Sequence, residues 1–150
     1  APCYIRADGL VAMSNGSSAN AAAKVHGFTP KAYRAGEALN WHFDRSEFTT
    51  TILLQAPDQG GLFEYRTDLR SAEDPNYDGV ARLLTGQDPD LQSITLEPGT
   101  LNVFRGKNTA HRVTPVQGDT TRIIAVFSFY EKPGVRFTEE EQRGFYGRAA

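Results

Sequence analysis

Arg122-Ile123-Ile124-Ala125-Val126-Phe127-Ser128-Phe129-Tyr130 decides the fold class of this chain. Read with period 2, Arg122, Ile124, Val126, Ser128 and Tyr130 share one face, and Ile123, Ala125, Phe127 and Phe129 share the other. Both sets are largely apolar, so the stretch reads as a strand buried on both sides with a charge at its end. Further strand candidates lie at residues 31–34, 39–44, 48–55, 62–65, 91–96, 101–104 and 110–116, divided by Gly, Pro and Asp clusters. Short strands in this number suggest an all-β core built as a double-sheet jelly roll, with a few short helices.

Helical patterning is confined to two places. Tyr77-Asp78-Gly79-Val80-Ala81-Arg82-Leu83-Leu84 puts Val80, Leu83 and Leu84 on one helical face, with an N-cap expected at Asp74 or Asn76. Thr138-Glu139-Glu140-Glu141 reads as a capping-box start to a last helix ending near Gly144 or Gly147. Residues 13–23 are small and polar and offer little to bury, the pattern of a loop or linker. The expected organisation is an N-terminal segment at 1–30, whose structure the sequence leaves undetermined, and one domain at 31–150. A chain of 150 residues has room for a single sizeable core.

The net charge of −2 gives no electrostatic footprint for nucleic acid or an anionic membrane. Cys3 is the only cysteine, which excludes an intrachain disulfide and fits a reducing compartment. No apolar stretch approaches the ~20 residues that span a bilayer, and the start lacks the apolar core of a signal peptide, so the expected location is cytoplasmic.

The reactive chemistry concentrates in His42-Phe43-Asp44, His111 and Arg122. Residues i and i+2 of a strand project from one face, so His42 and Asp44 can grip one ion from a single strand. His111 lies in Thr109-Ala110-His111-Arg112-Val113, whose Thr and Val suit a second strand bringing a third ligand. Two imidazoles and one carboxylate, with the other positions open, are the ligand set of non-haem Fe(II) oxygenases. Arg122 supplies a planar bidentate cation able to clamp a carboxylate beside the metal. Taken alone, His42 and Asp44 also fit a surface or capping pair, and Arg122 also fits a strand-mouth charge paired with a surface carboxylate.

With these residues in this order, the chain resembles the 2-oxoglutarate-dependent Fe(II) dioxygenases. The match runs through Tyr33-x-x-Gly36-x-x-Leu39, His42-x-Asp44, Gly99-x-Leu101-x-x-Phe104, His111-x-Val113 and the strand-borne Arg122. Gly60-Gly61-Leu62-Phe63-Glu64-Tyr65, with Glu131-Lys132-Pro133-Gly134-Val135-Arg136-Phe137 and Gly144-Phe145-Tyr146-Gly147-Arg148, is similar to one bacterial branch of that family. The branch contains hydroxylases and radical halogenases of free amino acids and similar small molecules. The resemblance covers residues 31–148. It implies a double-stranded β-helix of the cupin-like kind, with His42, Asp44 and His111 as Fe(II) ligands and O2 as oxidant. It also implies 2-oxoglutarate as cosubstrate, its far carboxylate held by Arg122. The reaction would be oxidative decarboxylation to succinate and CO2, coupled to hydroxylation of an unactivated C–H bond.

Many relatives carry Ser two places after that Arg, where this chain has Ile124. Another hydroxyl is therefore expected to help hold the carboxylate, and Thr51, Tyr33 and Thr49 are the candidates, each also compatible with ordinary strand packing. Asp44 separates the two chemistries of the branch. Its halogenases have a small non-ligating residue there, leaving a site for chloride, so a carboxylate implies a hydroxylase. Members of the branch usually carry a longer N-terminal helical part, which makes this chain either a fragment or an unusually short member.

Arg105, Lys107 and Asn108 fall in a loop that borders the metal in the resembled fold. Arg105 and Asn108 are expected to recognise a substrate carboxylate or amine, with Arg66 at the entrance beside Asp68 and Arg70; solvated loops explain the same residues. His26, ahead of Gly27-Phe28-Thr29-Pro30, reads as a loop histidine, and Trp41, alternating away from His42, as a packing residue. The expected partner is a small polar molecule, a free amino acid or derivative, with a homodimer as the candidate assembly and neither nucleic acid nor membrane. Three rival readings stand beside this one. A cupin-like metal-binding protein or isomerase would use the same ligands without 2-oxoglutarate turnover and without need of Arg122. A nucleic-acid dealkylase calls for a basic face and stacking aromatics. An inactive interaction module gives no reason to keep His42, Asp44 and His111 together. The sequence names neither the substrate nor the carbon attacked.

Overall fold

The strand at Arg122–Phe129 is an inner strand of its sheet, pairing with Phe48–Gln55 on one edge and Phe28–Tyr33 on the other. In a computed structural model that describes residues 3–6, 28–132, 135, 137–140 and 143, these belong to a set of eleven strands and one helix. In chain order they are β1 (Cys3–Arg6), β2 (Phe28–Tyr33), β3 (Leu39–His42), β4 (Phe48–Gln55), β5 (Gln59–Gly60), β6 (Phe63–Arg66), α1 (Tyr77–Leu84), β7 (Gln92–Ile94), β8 (Thr100–Phe104), β9 (Ala110–Val113), β10 (Val116–Gln117) and β11 (Arg122–Phe129). A five-stranded sheet runs β1-β8-β4-β11-β2, a four-stranded sheet runs β3-β9-β6-β7, and β10 pairs with β5. Every pairing is antiparallel. This is the jelly-roll architecture expected from the strand pattern.

The inner faces of the two sheets meet in a core of Tyr33, Leu53, Phe63, Tyr65, Leu96, Phe104, Val116 and Ile124. Strands from both sheets contribute to it, as a β-sandwich requires. A second cluster of Leu69, Leu83 and Ala110 gathers Trp41, Phe43, Val80 and Leu91. It seats α1 and takes up Trp41 as packing, the place its alternation away from His42 implies. Asn76 caps α1, its side-chain oxygen accepting from Gly79 N at 3.1 Å while its amide donates to Leu69 O at 2.7 Å. Leu84, expected on the buried face of the helix, is exposed instead, because Leu83 and Val80 alone complete the contact.

Two pieces of sheet were not expected. β1 pairs with β8 as an edge strand within what was read as an undetermined N-terminal segment. The stretch 110–116 is split into β9 and β10, and β10 leaves the four-stranded sheet to pair with the short β5. Backbone bonds from Gly36 N to Val116 O (2.8 Å) and from Val116 N to Glu37 O (3.0 Å) draw Val116 away toward the turn after β2. The expected C-terminal helix and the loops at 13–23 and around His26 fall largely or wholly outside the described residues. Among the described residues no helix is long and apolar enough to cross a membrane.

On β4 the alternation carries one irregularity that matters for the site. Ile124 pairs with Leu53 but Ile123 with Gln55, so Leu54 is an extra residue, a β-bulge. Leu53 is 1% exposed and Leu54 53% exposed. Leu53→Ala should therefore destabilise the protein by about 2–5 kcal/mol, as large-to-small core changes do, whereas Leu54→Ala should stay within about 0.5 kcal/mol. Equilibrium urea denaturation of both variants checks the contrast; equal losses would mean that the bulge is misplaced.

Candidate metal centre and cavity

β3 and β9 are antiparallel neighbours in which His42 stands directly opposite His111. Asp44 follows just beyond the end of β3 and keeps the same inward side. The three side chains bring one ligand atom each to within 4.8 Å of the others. Each histidine Nε2 lies 3.6 Å from Asp44 Oδ1, and the ring centroids are 4.1 Å apart. His42 Nδ1 is 2.8 Å from Asn40 O, and His111 Nδ1 is 2.9 Å from Thr109 O. A carbonyl only accepts, so each Nδ1 carries a proton, and in the neutral ring each Nε2 presents a lone pair. Three acceptor atoms thus face one another across gaps too wide for hydrogen bonds. Alone they repel; one divalent cation between them would satisfy all three, and two imidazoles with one carboxylate suit Fe(II).

The rings are held from outside the cluster. Phe104 meets His111 edge-on at 4.7 Å between centroids, and Phe63 lies 5.6 Å away. Burial in this apolar wall pushes the His111 pKa down to about 4; His42 acts in the same direction, while Asp44 and the Thr109 carbonyl oppose it. A neutral imidazole is the form that binds metal.

Asp44 is fixed at both ends. Its backbone N–H donates to Gly106 O at 2.9 Å, and its Oδ2 accepts a short hydrogen bond from Thr49 Oγ1. Ser46 Oγ lies 2.9 Å from the same Thr49 hydroxyl. Gly106 is required by proximity, since a Cβ there would collide with the Asp44 carboxylate. Neither Ser46 nor Gly106 was singled out in the sequence; only a known three-dimensional neighbour gives a polar loop residue such a role.

The two sheets enclose a cavity of about 400 Å³ into which all three ligands face. Arg122, Ile124, Val126, Ser128 and Tyr130 all line it, the inward set that strand alternation assigns. Arg122 is 1% exposed, and its Nη1 and Nη2 have no hydrogen-bond partner among the described residues. Its guanidinium lies 5.5 Å from the centre of the Tyr33 ring, opposite it on β2. Gly61, in the left-handed region at φ +61°, makes room for the Arg122 stem: a Cβ there would sit 2.8 Å from Arg122 Cδ. Burial pushes the pKa of Arg122 down and that of Tyr33 up. Arginine stays charged even so, and the Tyr33 phenol keeps its proton. Among the described residues, Thr51 Oγ1, buried on the cavity wall, has no hydrogen-bond partner either, and neither has any side-chain polar atom of Asn102, opposite Thr51 across β4 and β8.

Of the hydroxyls expected near the far carboxylate, Thr51 and Tyr33 thus face the cavity, whereas Thr49 is committed to Asp44. The residues expected to meet substrate are placed elsewhere. Arg105 is tied to Glu47, with Nε at 2.7 Å and Nη2 at 2.5 Å from Oε1, and Lys107 supports the same carboxylate at 3.5 Å. Asn108 donates to Arg70 O at 2.7 Å. Arg66 pairs with Asp88 at 3.3 Å and Asp90 at 3.0 Å. None of Arg105, Asn108 and Arg66 lines the cavity, because carboxylates claim the two arginines and the Arg70 carbonyl claims Asn108; Lys31, Phe43, Arg45 and Phe137 line it instead.

The sequence model of the Halogenase D family matches residues 27–142. No curated protein matches the chain. Among solved structures, the fold is similar to that of an oxidoreductase of the 2OG-Fe(II) oxygenase family from Burkholderia pseudomallei. Identity is 18% over 70% of this chain and 42% of that one, with a TM-score of 0.51. A prolyl-4-hydroxylase from Pseudomonas putida is 17% identical over 70% of this chain and 51% of its own, with a TM-score of 0.47. The chain spans about half the length of these structures or less.

His111 gives the metal-free protein a pH dependence whose sign follows from its lowered pKa. An unfolded imidazole protonates near pH 6.5, whereas folded His111 resists protonation until about pH 4. The unfolded state therefore binds more protons between these values, and stability falls with decreasing pH through that window by up to about 1.4 kcal/mol per unit. Denaturant unfolding of metal-free protein at pH 7, 6 and 5 should show this slope, and His111→Gln should flatten it. An unchanged slope in the variant would assign the dependence to other groups.

Proposed function

The chain belongs to the Halogenase D family, and from that premise we propose that it is an Fe(II)- and 2-oxoglutarate-dependent hydroxylase of a small polar molecule, a free amino acid or derivative of one. The observation that carries this reading is the buried Arg122 guanidinium, both of whose terminal nitrogens lack a partner among the described residues, in the cavity that His42, Asp44 and His111 also line. A buried charge without a counter-ion costs several kcal/mol. A barrel that only bound metal would gain nothing from such an expense. A dicarboxylate with a keto-acid end suits both features, since one end can chelate a metal while the other meets a guanidinium fork.

Bound iron, with 2-oxoglutarate and O2, supplies the oxidising chemistry, in which cosubstrate becomes succinate and CO2 while one oxygen atom enters a substrate C–H bond. The chain's own residues set the stage for it. His42, Asp44 and His111 would hold the ion, with one ligand atom each, at the wall of the cavity. Arg122 receives the far carboxylate, with Thr51 and Tyr33 as hydroxyl donors in place of the serine that Ile124 replaces. Phe63, Phe104, Val113, Ile124 and Val126 keep the wall between them apolar and dry. Lys31 and Ser128 also line the cavity and offer polar groups for recognising substrate. The family carries a halogenase name, but Asp44 places a carboxylate where halide chemistry needs an open site, so hydroxylation is the reading here. We assign the catalytic domain to residues 31–150 and the cytoplasm as its location, with neither nucleic acid nor membrane as partner.

Incubation with Fe(II), 2-oxoglutarate and a panel of free amino acids, scored by succinate release and product mass, tests the whole reading. Metal binding with no succinate under any condition would favour a cupin-like protein without 2-oxoglutarate turnover. Arg122→Lys keeps the charge but loses the fork. It should raise the 2-oxoglutarate requirement at least about tenfold, or about 1.4 kcal/mol, and leave Fe(II) affinity nearly unchanged. An unaltered cosubstrate dependence would reduce Arg122 to a structural charge. Asp44→Gly should abolish most hydroxylation and open a site for chloride; undiminished hydroxylation by that variant would remove Asp44 from the ligand set, and chlorination by the unaltered chain would overturn the hydroxylase reading.

A further inference from the structure

Asp44 has two oxygens, and only one of them faces the histidines. Oδ1 lies 3.6 Å from both Nε2 atoms, while Oδ2 is taken by Thr49 Oγ1. The direction of the hydrogen bonds follows from the chemistry. An ionised carboxylate only accepts, so the single proton of Thr49 goes to Asp44. Ser46 Oγ, 2.9 Å from Thr49 Oγ1, must then be the donor in that contact. The result is a one-way chain, Ser46 to Thr49 to Asp44, whose two hydroxyl residues are 2% and 3% exposed. Water has little access to compete with it, and Gly106 O holds the backbone N–H of Asp44 from the other side.

Resting on the proposed reading, we infer that Thr49 is a positioning residue that keeps Asp44 a one-oxygen ligand. A carboxylate free to rotate can chelate an ion through both oxygens and fill two coordination positions. The proposed reaction needs three positions clear of protein, two for the keto acid and one for O2. Thr49 holds Oδ2 away from the ion and so preserves the third. Ser46 supports it by orienting the Thr49 proton. This role also explains why the hydroxyl of Thr49, a cavity-lining residue, is given to Asp44.

The test uses Thr49→Val, which keeps the shape and removes the hydroxyl, with Thr49→Ser, which keeps the hydroxyl, and Ser46→Ala as a weaker break in the chain. Mn(II) is the probe, and water-proton relaxation counts the exchangeable waters on the bound ion. Thr49→Val should still bind Mn(II) but carry one water fewer than the unaltered chain, and Thr49→Ser should restore the count. Succinate formation under saturating cosubstrate should fall by about 10- to 100-fold in Thr49→Val, the usual loss when a partner of a metal ligand is removed. Ser46→Ala should lie between. If Thr49→Val binds Mn(II) with an unchanged water count and turns over normally, Thr49 is packing only and the inference fails while the hydroxylase reading stands. If Thr49→Val does not fold, an unchanged water count and rate in Ser46→Ala together with a lowered count in Thr49→Ser overturns it. Absence of Mn(II) binding by the unaltered chain overturns both.

Discussion

The register between β3 and β9 is the constraint on which the centre depends. Pairing His42 with His111 across the ladder brings two imidazoles as near as the pleat allows, and the carbonyls of Asn40 and Thr109 then turn both Nε2 atoms toward Asp44. A slip of one residue would send one ring to the opposite face of its sheet. The register is protected from behind, because Trp41 alternates with His42 and packs with Leu69, Leu83 and Ala110 near α1. Arg112, the neighbour of His111, points the same way, with its guanidinium 4.9 Å from the Trp41 ring. A strand with one face committed to an apolar cluster cannot rotate its ligands out of place without exposing that cluster.

Much of this arrangement was legible in the sequence, for a definable reason. Period-2 alternation states which face a residue takes, and it placed Arg122, Ile124, Val126, Ser128 and Tyr130 in the cavity and Trp41 outside it. It does not state what a residue meets on that face. Thr49 and Thr51 share an inward face, yet one hydroxyl is bound to Asp44 and the other stands unpartnered. Arg105, Asn108 and Arg66 were polar loop residues near the right strands, but Glu47, the Arg70 carbonyl and two aspartates lie nearer to them than the cavity does. Loop partners are set by tertiary geometry, which local pattern does not encode. The edge strand β1 escaped notice for the same reason: four residues with a distant partner carry no turn signal of their own.

Charge in the cavity is unevenly distributed. Lys31, Arg45 and Arg122 line it, and Asp44 is the one carboxylate among the described residues that do. A divalent ion at the ligand cluster would deepen the imbalance. Such a field in a low-dielectric enclosure favours anions strongly, and a doubly charged keto acid answers it better than a neutral ligand would. Apolar walls and cationic ends therefore work together: the walls magnify the attraction that the ends exert.

The unpartnered guanidinium of Arg122 bears on how long the folded chain survives, apart from its rate of turnover. On the reading above, an anion that meets Arg122 binds the native state and not the unfolded one. Occupancy at a hundred times the dissociation constant then adds about 2.7 kcal/mol to stability. For a domain whose total margin is typically about 5–15 kcal/mol, that is a sizeable share. Without that anion the chain would sit closer to its unfolding threshold by the same amount, and its open form would be more exposed to proteases.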